Sequence, residues 1–201
     1  RAARSHLDES LALRDELVTR QPTAIRFQRD RATTLELRAN VLVAESDFVG
    51  AQRDFDEAFA MRARLVTEST AAGSRDPQLA RELAASLDGR ASLAIIRERR
   101  ADALALAREA LALRTAIRAA GASDPALDGE LAANENRIGE LALSLGDAAE
   151  AEGHFAAAVD GRMALARLAP ADLSRRRALA VSRFNVGRAA ARLGRAESAA
   201  D

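Results

Sequence analysis

Apolar residues along this chain recur at helical spacing, and the spacing itself recurs. Leu7, Leu11 and Leu17 fall at i, i+4 and i+10, one stripe of an amphipathic helix. The same stripe returns as Phe55, Phe59 and Leu65, as Ala107, Leu111 and Ile117, and as Phe155, Val159 and Leu165. Four arginines keep the same register, Arg14, Arg62, Arg114 and Arg162, at successive separations of 48, 52 and 48 residues. A column of small residues, Ala3, Ala51, Ala103, Ala151 and Ala199, marks a place where two helices approach closely. Recurrence at a fixed period is the signature of a repeat array in which each unit buries its apolar face on the next.

The punctuation follows the same period. Pro22, Pro77, Pro125 and Pro170 each lie shortly after a stripe. Asp76 before Pro77 and Asp124 before Pro125 read as a capping carboxylate followed by proline in the first helical turn. A second break falls at Glu45-Ser46-Asp47, Arg97-Glu98-Arg99, Leu145-Gly146-Asp147 and Leu193-Gly194-Arg195, glycine after a helix end being a stop signal. Helices are therefore expected at 1–20, 23–45, 48–70, 77–98, 101–119, 125–145, 148–168 and 171–193, with a stub from 196. The expected fold is all-α: antiparallel helix hairpins stacked in one α-α superhelix over residues 1–201, with units at 22–70, 76–119 and 124–168 and partial units at 1–20 and 170–201. Phe55, Phe59, Leu111, Phe155, Ala103 and Ala151 are expected to be buried between helices.

Composition narrows the chemistry. The apolar stock is mainly Ala and Leu, helix formers, with six Phe and no Trp or Tyr. Basic and acidic residues balance at 30 each, so the basic excess usual in nucleic-acid or membrane-surface proteins is missing. Every basic residue is arginine; without lysine there is no Schiff-base nitrogen. The absence of Cys excludes disulfides, thiolate catalysis and Cys-ligated zinc. No apolar run is long enough to span a membrane and no signal peptide is visible, so a cytoplasmic location is expected. The chain begins at Arg1 and stops at Asp201 inside the repeating pattern, and is expected to be a piece of a longer protein.

The order of small and large residues resembles the tetratricopeptide (TPR) family. Ile138-Gly139, Ala142, Leu145-Gly146-Asp147, Ala151, Phe155 and Ala158 carry the resemblance best. Val186-Gly187, Ala190, Leu193-Gly194 and Ala199 repeat it. Ala39, Leu42, Ala51, Phe55 and Ala58 keep it, and Ala91, Ala94, Ala103, Ala107 and Ala110 follow it more weakly. The departure is length, a period near 48 against the family's 34, which two lengthened helices per unit would supply. Long-period arrays of this kind look like those in bacterial multidomain proteins, some fused to serine/threonine kinase or signalling-ATPase domains.

Candidate chemistry is sparse. His6 and His154 share one register position three repeats apart and read as solvent-facing helix residues. No Ser-His-Asp set, phosphate loop or metal-spaced cluster is present, so neither catalysis nor a cofactor or metal is expected within the chain. The arginine column reads as a repeated interhelix contact before it reads as a ladder for an acidic partner. Arg97-Glu98-Arg99-Arg100 and Arg175-Arg176-Arg177 read as solvated surface.

The resemblance implies that the first helix of each pair lines a concave groove that holds protein or peptide segments. The groove positions it implies are Thr33, Glu36, Leu37, Asn40 and Val43; Ala85, Asp88, Ser92 and Ile95; Ala133, Asn136, Arg137, Glu140 and Leu143; and Val181, Phe184, Asn185, Arg188 and Arg192. The residues singled out for peptide binding are Asn40, Asp88, Asn136, Arg137, Glu140, Asn185, Arg188 and Arg192. Amides can pair with an extended backbone through donor and acceptor together, and arginines with a carboxylate. A terminal-carboxylate clamp of lysine and asparagine is not supported, since lysine is absent. The expected function is a non-catalytic interaction scaffold, with no nucleic-acid or membrane partner and with self-association possible. The alternative is a regulatory segment of a larger signalling enzyme such as a kinase.

Overall fold

A computed structural model describes residues 2–122 and 124–194, and among them there are eight helices and no strand. They are α1 (Ala2–Arg20), α2 (Ile25–Ala44), α3 (Phe48–Ala71), α4 (Pro77–Ile96), α5 (Arg100–Ala119), α6 (Pro125–Ser144), α7 (Ala148–Leu168) and α8 (Leu173–Arg192). Their contacts divide the chain between Glu98 and Arg99 into two compact units, α1–α4 and α5–α8. In each unit every helix packs on the one that follows it in sequence; α2 also touches α4, and α6 touches α8. The stub expected from 196, and with it Ala199 and the break at Arg195, lies outside the described residues.

The helix ends are built by local chemistry that repeats. Asp76, Asp124 and Asp172 cap α4, α6 and α8, their carboxylates accepting from backbone N–H groups at Gln78, at Ala126 and Leu127, and at Ser174 and Arg175. Pro77 and Pro125 occupy the first turns. Asp47 and Asp147 cap α3 and α7 in the same way. Two starts lack such a cap: Ala24 precedes α2 and Arg99 precedes α5, neither with a side-chain bond to the helix. At the other end α2, α4, α6 and α8 each stop at a residue with positive φ: Ser46 (62°), Glu98 (57°), Gly146 (94°) and Gly194 (75°). Asp47 N–H then donates to Leu42 O at 2.8 Å and Asp147 N–H to Ala142 O at 2.9 Å, closing the terminal turn.

The cores are made by the recurring stripe. In the first unit Phe55 is buried with Ala39, Leu42, Ala51 and Leu93. Leu11, Ala32, Leu35 and Ala58 form a second cluster. In the second unit Phe155 is buried with Ala142, Ala151 and Ala189. Gly139 makes room for it, since a Cβ there would lie 2.7 Å from two carbons of the Phe155 ring. Ala103 and Ala151 are fully buried as expected. Phe59 and Leu111, expected in the interior, are only half-buried, because they sit at the edge of the stripe, one turn beyond the centre held by Phe55 and Ala107. Ala3 is exposed on α1.

The arginine column is structural. Arg62 and Arg114 are buried at 4% and 3% exposure. Arg62 Nη1 donates to Glu82 O and Ser86 Oγ, both at 2.9 Å, and to Glu36 Oε1 at 2.6 Å. Arg114 Nη1 donates to Asn134 Oδ1 at 2.8 Å. Arg162 Nη1 donates to Ala178 O at 2.8 Å and Ser182 Oγ at 2.7 Å. Arg14 stands 3.8 Å from Asp30 Oδ1. Each guanidinium thus ties one helix to the next. Three of them reach a buried small polar residue, Ser86, Asn134 or Ser182, and Thr34 holds the same register on α2.

Candidate functional site

The residues singled out for peptide binding divide between the units. Asn40 is exposed on α2, and Asp88 is half-buried on α4. The other six lie on α6 and α8. Helix α8 packs on α6 so that Glu140, Arg188 and Arg192 reach one open cleft of about 570 Å³, whose remaining lining is Leu143, Ser144, Gly146 and Ala191. Arg137, half-buried, is not part of that lining.

Asn136 and Asn185 correct the sequence reading. Expected on an exposed groove wall, they are buried, at 7% and 2% exposure. The close approach of α8 to α6 turns their amides towards each other, and Asn185 Nδ2 donates to Asn136 Oδ1 at 3.1 Å and to Glu140 Oε1 at 3.2 Å. Asn136 Nδ2 donates to Glu140 Oε1 at 2.8 Å, and Arg188 Nη1 donates to Asn185 Oδ1 at 3.1 Å. Ser182 Oγ, which accepts from Arg162, donates to Asn136 Oδ1 at 3.3 Å. A chain of polar groups therefore runs from the Arg162 strut under the cleft to its rim. Satisfied polar networks of this kind fix one geometry, and here they fix the carboxylate of Glu140 and the guanidinium of Arg188. Burial holds Arg162 below the usual arginine pKa, opposed by the charge of Glu140.

The histidines are not equivalent. His6 is exposed, with Glu9 of its own helix 3.8 Å away. His154 was expected to face solvent but is half-buried: its Nδ1 is 2.6 Å from Glu135 Oε2 on α6, and its Nε2 is 3.6 Å from Glu150. No group of three or more His, Asp or Glu among the described residues is arranged to hold a metal ion. In the first unit Asp54, at the register position of the histidines, is buried and receives both Arg38 Nε and Nη2, at 2.6 and 2.8 Å. That pair of bonds, outweighing the cost of burial, raises Arg38 above the usual arginine pKa. Asp56 Oδ1 and Arg90 Nε form an ion pair 2.9 Å apart without hydrogen-bond geometry, and Arg90 lies over the Phe59 ring at 4.5 Å.

No helix among the described residues is long and apolar enough to cross a membrane. Compared by sequence, the chain matches no family profile and no curated protein. Compared by shape, it is similar to BtubC (BKLC) from P. vanneervenii, with 18% identity over 99% of this chain and 86% of that one and a TM-score of 0.59. It is also similar to a putative kinesin light chain with nearly identical TPR-like repeats from Podosopora anserina, with 15% identity over 98% of this chain and 83% of that one and a TM-score of 0.61.

Proposed function

We propose, taking this TPR-like repeat fold as the premise, that the chain is an interaction scaffold that holds a segment of another protein in the α6–α8 cleft. Folds of this kind are generally non-catalytic and serve protein partners. The observation that carries the reading is the cleft itself. Leu143 and Ala191 offer apolar contact, Arg188 and Arg192 stand at the rim, and the buried Asn136–Asn185 pair holds Glu140 and Arg188 in place before any ligand arrives. Preorganisation of that kind lowers the ordering cost of binding. The two arginines against one carboxylate favour a segment with at least one acidic residue.

Exposed charge pairs contribute little, so the affinity should be modest, roughly micromolar. The test is a peptide-array screen with the wild type and with Ser144→Trp, which fills the cleft from an exposed position. Peptides bound by the wild type should be lost from Ser144→Trp and weakened by Arg192→Glu. Equal binding by all three would place the partner on another surface.

A further inference from the structure

The two units share one register, each position of the second standing 100 residues after its counterpart in the first: Arg14 and Arg114, Phe55 and Phe155, Arg62 and Arg162. In that register one place is filled with side chains in the first unit and open in the second. In the first unit Arg31 of α2 donates from Nε to Asp15 of α1. Its Nη1 stands 2.6 Å from Glu57 Oε1 and donates to Met61 Sδ at 3.0 Å, both on α3. Arg64 of α3 reaches back to α2, its Nη2 donating to Gln28 Oε1 at 2.5 Å. Two guanidinium groups and a thioether thus bridge the three helices.

In the second unit those side chains are withdrawn. Leu131 stands at the position of Arg31, Gly161 at that of Met61, Ala164 at that of Arg64 and Ala157 at that of Glu57. All four line a cavity of about 370 Å³ between α5, α6 and α7. Its charged lining is Asp128 and Glu135 of α6, Asp160 of α7 and Arg118 of α5. Glu135 is engaged by His154. Among the described residues the side chains of Asp128 and Asp160 make no hydrogen bond or ion pair, with Arg118 or with any other group. Asp128 holds the position from which Gln28 accepts the Arg64 guanidinium, and a carboxylate there is the stronger acceptor. The second unit therefore lacks the cations that fill this place and strengthens the acceptor that receives one of them.

We propose that the cavity between α5, α6 and α7 binds an arginine side chain presented by a partner protein. The aliphatic stem lies along Leu131, Ala157 and Ala164. The guanidinium takes the place at Asp128 that Arg64 takes at Gln28, with Asp160 of α7 as its second carboxylate. An ammonium would satisfy the charge without the planar fork that pairs with carboxylates. A bare divalent cation would want several oxygen ligands brought together, and no such group occurs among the described residues. The cavity shares no lining residue with the α6–α8 cleft, so the two sites stand or fall separately.

The probe is a peptide of about seven residues, alanines around one central arginine, added to isotope-labelled protein and followed by amide NMR, which reads weak binding. Controls are the same peptide with citrulline or lysine in place of the arginine, and free L-arginine. The arginine peptide should shift amides around Asp128 and Asp160, with an affinity that falls as salt rises. Citrulline, of like shape and no charge, should abolish binding, and lysine should weaken it severalfold. Asp128→Asn/Asp160→Asn should weaken binding about tenfold or more, with helical circular dichroism unchanged. Ala164→Arg, at an exposed position, restores the side chain the first unit carries there; it should occupy the site itself and abolish binding. Ser144→Trp should bind as the wild type. The proposal is overturned if the citrulline peptide binds equally, if the lysine peptide binds more tightly, if Ala164→Arg binds as the wild type, or if no probe binds. Free L-arginine binding as tightly as the peptide would overturn the protein partner and assign the site to a small guanidinium compound. Loss in Ser144→Trp with retention in Ala164→Arg would overturn it in favour of the cleft.

Discussion

Arg114 reaches from α5 to α6, and its Nη1 donates to Asn134 Oδ1 at 2.8 Å, with both side chains buried. Asn134 passes the connection back by donating Nδ2 to Ala107 O at 3.0 Å. The pair should therefore behave as one unit. In a double-mutant cycle of Arg114→Met and Asn134→Leu, followed by urea unfolding, the coupling should be about 1.5–3 kcal/mol, the range for hydrogen bonds to a charged group. Additive losses would mean that the Arg114–Asn134 bond carries no coupling of its own.

Residues with positive φ give predictions of opposite sign at equivalent positions. Ser46 and Glu98 hold left-handed conformations that cost a side chain about 1 kcal/mol, while Gly146 holds one at no such cost. Ser46→Gly and Glu98→Gly should each stabilise the fold by about 0.5–1 kcal/mol, and Gly146→Ala should destabilise it by about 1 kcal/mol or more. Thermal melts of the three variants decide the matter.

Phe155 and Gly139 are fitted to each other. Phe155→Ala should cost about 3–5 kcal/mol through the cavity it leaves. Gly139→Ala should cost about 1–3 kcal/mol through overpacking against the ring. Combined with Phe155→Leu, Gly139→Ala should cost less than the sum of the two single changes. Strict additivity in urea melts would mean that the ring and the glycine do not constrain one another.

Asp172 supplies the pH dependence. Hydrogen bonds from the Ser174 hydroxyl and the Arg175 backbone hold its pKa below 3.8. A carboxylate whose folded pKa is depressed contributes stability that is fully present above its unfolded value and is lost as pH falls through the lower folded value. Carboxyl NMR should place the Asp172 midpoint below 3.8, and Asp172→Asn should remove that part of the acid-induced loss of stability. A midpoint at the ordinary value in the folded protein would contradict this.

Much of the architecture was legible in the sequence because helix ends carry chemistry of their own. Asp76-Pro77 and Asp124-Pro125 marked starts that the structure places at Pro77 and Pro125. The expected start of α8, at 171, lies two residues before the observed one, because Asp172 and not Pro170 sets the start. Side-chain direction was less legible. Asn185 is buried while its neighbour Phe184 is exposed, and one residue is a rotation of about 100°, so a helical pattern that is right to within a residue can still exchange wall and interior. Ser86, Asn134 and Ser182 hold the struts although small polar residues usually face water; their own recurrence, at steps of 48 residues, is the signal the sequence carries. His154, expected to face solvent, meets Glu135 of another helix, a contact that the pattern of one helix does not carry.

The longest helix shows where this design tolerates change. Arg62 precedes the end of α3 by nine residues, while Arg114 and Arg162 precede the ends of α5 and α7 by five and six. The additional turn lies wholly beyond the strut, and Arg62 meets Glu82 O and Ser86 Oγ much as Arg162 meets Ala178 O and Ser182 Oγ, each pair of acceptors four residues apart. The guanidinium thus works as a registration mark, and past the buried Leu65 the tail of α3 carries no core residue. Segments spliced into the α3–α4 connection, a reporter or a second recognition element, would leave the pitch of the neighbouring hairpins intact. A single residue inserted between Phe55 and Arg62 would rotate every mark downstream of it in that helix out of alignment.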